Sequence, residues 1–410
     1  MRAGFIALAL QAASVAYALP QAPDFVPSDP EAALLQLEQL GNATFQAVEA
    51  DLAEAAEVAK RSGILTGSCT LSKLKIRREW GSLSSNQKKA YINAVKCLQA
   101  KPALTPASMA PGAKSRFDDF VATHINQTLT IHWTGNFLSW HRYYTWLYEK
   151  ALQDECGYTG TQPYWNWGLS AITGLANSPV FDGSATSLSG NGVFIPNTPD
   201  LILGASVGLP PIVLPSGSGG GCVTSGPFQN MSVNLGPAAL ELPGGGSYGN
   251  PAGPYAYNPR CLKRSLTDYI NRRYANASSI LSNILLPSNI DGFQTRLQGL
   301  GGQEIGVHGG GHFSMGGDPG RDFFTSPGDP AFYLHHAMVD RVWWIWQSLN
   351  PSSRAAGASA IAGTRTFLNM PPSADATIND SIDAGYAAGT PIQIKDALDT
   401  TKGPFCYVYL

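Results

Sequence analysis

RFDDFVATHINQTLTIHWTGNFLSWHRYYTWLYE, residues 116–149, carries three of the chain's seven histidines: His124, His132 and His141. The other four, His308, His312, His335 and His336, fall in one window far downstream. Histidines placed for solubility or packing would scatter through 410 residues. Confinement to two short windows is the pattern of two metals, each held by imidazoles. Within the first window Phe117, Phe120, Val121 and His124 stand at i, i+3, i+4 and i+7, so a helix is expected to turn His124 inward. A loop bearing His132 follows. A second helix is expected over 137–154, with Phe137, His141, Tyr144 and Tyr148 sharing its apolar stripe.

The downstream window reads the same way, with one tension. His308 and His312 are four apart, which stacks them on one helical face, yet three glycines lie between them. Each glycine costs a helix about 1 kcal/mol relative to alanine. A closely packed helix start reconciles the two. Over 329–349, Phe332, His336, Val339, Trp343 and Trp346 alternate spacings of four and three, a seam that faces a core. Four helical pieces (117–124, 137–154, 304–313 and 329–349) thus present histidines from apolar faces, and antiparallel packing would gather them at a bundle centre. Further helices are expected over 28–62, 84–100 and 265–285. Residues 157–260 are punctuated by Gly and Pro too densely for long helices and read as loops with short strands. The fold class is mainly α, a four-helix core wrapped by long loops.

Net charge is −2 and charged residues make up only 14%, with no basic stripe, so nucleic acid is excluded as a partner. Residues 1–19, with Arg2, an apolar run and small residues at Ala16 and Ala18, read as a secretory signal peptide, and no later run is long enough to span a membrane. Export fits six cysteines, for which 15 pairings are open, and sequons at Asn42, Asn126, Asn230, Asn276 and Asn379. Residues 20–62 form a helical segment ending at Lys60 and Arg61. That pair is either a processing site that releases a pro-segment or ordinary C-terminal helix charge. Residues 63–410 are expected to be the catalytic domain.

The histidine set lacks carboxylates at ligand spacing, unlike di-iron bundles and most two-metal hydrolases. Six neutral imidazoles leave the metals' charge uncompensated, which favours a low oxidation state and suits copper. Two Cu(I) ions can each give one electron to O2, so the donor set points to oxygen chemistry.

H-x7-H-x8-H followed by Arg-Tyr, then H-x3-H, then DPAFYLHHAMVDRVWWIW resemble the two copper signatures of the tyrosinase family, which includes catechol oxidases and haemocyanins. The likeness spans about residues 75–410, ending at Tyr407-Val408-Tyr409. It implies one copper on His124, His132 and His141, and another on His308, His312 and one of His335 or His336. Members with a single histidine there have it four before the Asp, which corresponds to His336 before Asp340. Asp340 and Arg341 would then orient this helix, and Phe332 would pack on ligand rings. Where several members carry a thioether-forming cysteine, this chain has Thr130. Glu304 resembles the glutamate that orders a water in many members. Gly309, after His308, stands where efficient monophenol hydroxylases often have Asn. Phe323 matches an aromatic gate position, and Phe313 is a second candidate for the mouth. The resemblance implies a secreted dicopper oxidase that takes o-diphenols to o-quinones with O2, and acts more weakly on monophenols. The other readings are a full tyrosinase, a haemocyanin-like oxygen carrier and a zinc hydrolase.

Overall fold

The computed structural model describes residues 26–62, 68–204, 210–299 and 304–410. The expected signal peptide lies outside them. Helix α1 (Pro30–Ser62) starts where Asp29 accepts the Ala32 N–H at 2.8 Å. Helices α2 (Ser85–Ala100) and α3 (Arg116–Ile131) each open with a capping box, Ser84 with Gln87 and Ser115 with Asp118. Helix α4 (Phe137–Cys156) ends at Gly157, whose φ of 67° closes the helix in the left-handed region that glycine adopts freely. A short α5 (Trp167–Thr173) stands at the start of the loop region, which otherwise holds paired strands of two to four residues, as its glycines and prolines predict.

The segment expected as one helix over 265–285 is two, α6 (Asp268–Tyr274) and α7 (Ala277–Leu285). The break has a local cause: Asn276 accepts the Ser279 N–H at 2.8 Å and so caps a new helix. Helix α8 (Ile290–Gln298), capped by Asn289, was not expected from the sequence. Helices α9 (Gly306–Met315) and α10 (Ala331–Ser348) follow, and a four-residue helix, Pro351–Arg354, comes after them. Helix α4 packs on α2, α3 and α10, and α9 on α6, α8 and α10, which brings the four histidine-bearing helices together.

Three disulfides select one of the open pairings: Cys69–Cys406, Cys97–Cys156 and Cys222–Cys261. The second joins the ends of α2 and α4. The first fastens the chain near the parallel pair formed by Lys75–Arg77 and the terminal strand Tyr407–Tyr409. The early part of α1 belongs to the core, with Ala33, Leu37, Leu40 and Thr44 buried and Glu38 accepting from Arg341 (3.2 Å) and Asn166 (3.0 Å). Loss of α1 would strip these contacts from the back of α10. Of the sequon asparagines, Asn42, Asn126, Asn230 and Asn379 are exposed, whereas Asn276 spends its amide on the α7 cap.

Candidate metal centre

Seven histidines converge in two groups. The ligand atoms of His124, His132 and His141 lie within 4.8 Å of one another, as do those of His308, His312, His335 and His336. His124 comes from α3, His132 from the residue that ends α3, and His141 from the second turn of α4. His308 and His312 come from α9, and His335 and His336 from α10. The groups face each other: His141 stacks on His336 with ring centroids 4.5 Å apart, and His132 stacks on His308 at 6.2 Å.

Backbone carbonyls set the rings. Phe324 O accepts from Nδ1 of His124 (2.8 Å), Thr128 O from His132 (3.0 Å), Phe137 O from His141 (2.8 Å) and Gly320 O from His312 (3.1 Å). A carbonyl can only accept, so each proton sits on Nδ1 and each Nε2 keeps a free lone pair. Nε2 of His124, His141 and His308 is enclosed and without a partner. Burial dominates the electrostatics. It takes His124 down to about 3 and His312 to about 4 against the raising pull of their carbonyls, and puts the other five well below the ordinary value. Every imidazole is therefore neutral near pH 7. Enclosed, unpartnered nitrogen lone pairs are costly alone, and this oriented, carboxylate-free donor set fits copper.

His335 and His336 differ in their neighbours. Nε2 of His336 faces Nε2 of His312 at 3.3 Å, and its ring lies between His141 and Phe332, the latter at 4.1 Å. His335 instead contacts Trp165, Trp167, His308 and His312, with both nitrogens buried and unpartnered. His336 stands between the two groups, whereas His335 flanks one of them.

The glycines of α9 answer the tension in the sequence. A Cβ on Gly310 would come within 2.9 Å of the Tyr274 Cβ, and one on Gly311 within 2.2 Å of Cε1 of the buried His335. Glycine is kept because α9 must lie against α6 and α10. Helix propensity alone would make Gly311→Ala stabilising by about 1 kcal/mol. Overpacking reverses the sign, so we expect a loss of about 1–3 kcal/mol together with weaker metal retention, read by denaturation and bound-copper analysis.

The remaining expected site residues divide. Phe323 is half-buried with its ring 4.6 Å from His132. Gly309 is half-buried next to His308, with Ile305 filling the space beside it. Glu304 is exposed and pairs with Arg273 at 2.6 Å. Helix α9 begins only at Gly306, so the four-residue offset from His308 does not put Glu304 on a shared helical face. Phe313 packs with Leu201, Leu214, Ile270 and Ile305 in a side cluster. Thr130 is exposed, and all six cysteines are in disulfides, so none is available for a thioether. Sequence reasoning missed Gln298, whose Oε1 accepts the Trp133 N–H at 2.9 Å, and the orienting carbonyls of Gly320 and Phe324. Backbone carbonyls have no side-chain signature to find.

Residues 114–349 match the family profile described as the common central domain of tyrosinase. The chain is 42% identical over 339 residues to tyrosinase P of Aspergillus terreus, covering 82% of this chain and 91% of that protein. It is 40% identical over 357 residues to an N-acetyl-6-hydroxytryptophan oxidase of Emericella nidulans, covering 83% and 93%. Its structure is similar to that of a polyphenol oxidase from Thermothelomyces thermophila, with a TM-score of 0.81 and 47% identity over 91% of this chain and 97% of that one.

Proposed function

From the premise that this chain belongs to the tyrosinase family, and is thus a copper-dependent oxidoreductase, we propose that it is a secreted dicopper polyphenol oxidase acting on o-diphenols. The observation that carries this reading is the pair of facing imidazole groups, free of carboxylates, each with its ligand atoms within 4.8 Å of one another. In the proposal His124, His132 and His141 hold one copper, and His308, His312 and His336 the other. Bound there, the copper pair supplies the redox couple by which two o-diphenols become two o-quinones while one O2 becomes two waters.

The chain's own residues hold the geometry. The carbonyls of Phe324, Thr128, Phe137 and Gly320 fix four rings before substrate arrives, so no reorganisation is needed during the reaction. Phe332, fully buried, contacts His124, His312 and His336 and excludes water from their backs. Phe323 leaves its ring over His132, where a phenol ring would enter.

Preference for o-diphenols is supported at two positions. Glu304 spends its carboxylate on Arg273, and Gly309 offers no side chain, so neither takes a proton from a monophenol. Secretion is supported by the three disulfides; none of the described helices is long and apolar enough to cross a membrane.

The test is oxygen uptake by copper-loaded protein, with catechol and phenol compared side by side. Uptake with catechol and little with phenol is expected. Equal rates without a lag would make the protein a full tyrosinase. No uptake from protein holding two coppers would overturn the oxidase reading in favour of a carrier.

A further inference from the structure

Three aromatic side chains crowd one edge of the centre. Trp133 lies 5.5 Å from Phe323 and 5.1 Å from Phe367, and Phe323 lies 5.6 Å from Phe367 (ring centroids). All three are half-buried, whereas core aromatics such as Phe332, Tyr333 and Trp346 are closed off entirely. A plain packing cluster would bury its rings. Here each ring keeps part of its surface open, beside the histidine that Phe323 touches.

The backbone that presents them is strained. Trp133 has φ 46°, and the two residues after Phe367, Leu368 and Asn369, have φ 49° and 57°. Bulky L-residues seldom adopt this left-handed region, and such positions persist only where the surroundings over-determine them. They do so here. Gln298 holds the Trp133 N–H. The segment before Phe367 is fastened by Gly135 N–H to Thr364 O (2.9 Å) and by the Gln294 side chain to Ala362 O (2.8 Å). A Cβ on Gly135 would stand 2.7 Å from Gly363 O, so the two segments meet backbone to backbone. Strain held in place by this many contacts, at residues whose rings stay partly open, is the mark of a binding surface.

We infer that Trp133, Phe323 and Phe367 form a subsite for the second ring of the substrate, so that this enzyme favours fused bicyclic or biaryl o-diphenols over monocyclic ones. The inference deepens the proposed oxidase reading and rests on it. The dihydroxylated ring passes Phe323 to the histidines. The second ring stays outside, edge or face against Trp133 and Phe367, where aromatic pairs gain beyond the area they bury.

Redox-inert acids test this on the copper-loaded full chain, as competitive inhibitors of catechol oxidation. 2-Naphthoate is expected to bind about tenfold tighter than benzoate. Phe367→Ala should raise the naphthoate Ki about fivefold to tenfold and the benzoate Ki less than about twofold. Phe367→Tyr, which keeps the ring, should retain the discrimination. Copper content and melting temperature establish that each variant is folded. Equal Ki values for the two acids in the unaltered protein, or an equal loss for both in Phe367→Ala, would overturn the subsite. If catechol is not oxidised at all, the failure is that of the oxidase reading. Calorimetric titration of the same protein with the two acids then still decides the subsite, by the same ratio.

Discussion

His336→Ala is expected to leave about one copper per chain and to lower oxygen uptake with catechol at least about a thousandfold, the scale seen when one member of a catalytic unit is lost. His335→Gln is expected to keep both coppers, with affinity weakened about tenfold to a hundredfold, as when a supporting partner is lost. The contrast follows from position. His336 points Nε2 toward that of His312 and stacks on His141, so its lone pair lies where both groups converge. His335 packs between Trp167 and the rings of His308 and His312, where it supports ligands from the side. Copper analysis and anaerobic absorption spectra separate ligand loss from slowed turnover. Retention of two coppers by His336→Ala, with loss of one by His335→Gln, would reverse the assignment. Equal loss in both would mean that both imidazoles serve.

That this question needs mutants at all has a physical reason. Helix α10 is buried all round from Ala331 to Gln347, so a 3.6-residue period has no solvent face against which to tell His335 from His336. Of the helices with a wet face, α2 and α4 keep close to their expected bounds, whereas α3 runs on to Ile131 through the stretch expected as a loop. Helix α9 was legible only through its histidine spacing, because close packing against Tyr274 and His335 overrides the propensity of its glycines. The start of α9 was less legible: the helix expected from 304 begins at Gly306, which leaves Glu304 outside it. Trp133 and Phe367 left no periodic trace, since turns with positive φ place them. The histidine clusters were plain because imidazole is scarce elsewhere in the chain.

Asp340 carries the other large effect, on stability. Its carboxylate is buried and accepts from Arg142 Nε (2.6 Å), Tyr407 OH (2.6 Å), Tyr409 OH (2.6 Å) and, more distantly, Arg77 Nη1 (3.4 Å). One side chain thus ties α4, α10, the Lys75–Arg77 strand and the terminal strand, four residues from His336. Asp340→Ala takes the carboxylate from the buried Arg142 guanidinium and the acceptor from two tyrosine hydroxyls, while Arg77 keeps Glu149, and it is expected to cost about 3–5 kcal/mol in chemical denaturation at pH 7. Burial by itself would raise the Asp340 pKa, but Arg142 and Arg77, with the two tyrosines, outweigh it and hold the group below 3.8. A carboxyl depressed on folding stabilises fully above its unfolded value, and the contribution is lost as pH falls through the folded one. The gap between the unaltered protein and Asp340→Ala, both measured copper-free, should therefore hold steady from pH 7 to 5 and narrow only below about 3.8. A gap that closes between pH 7 and 5 would mean that Asp340 is not held ionised by its arginines, and that the four elements are joined by packing alone.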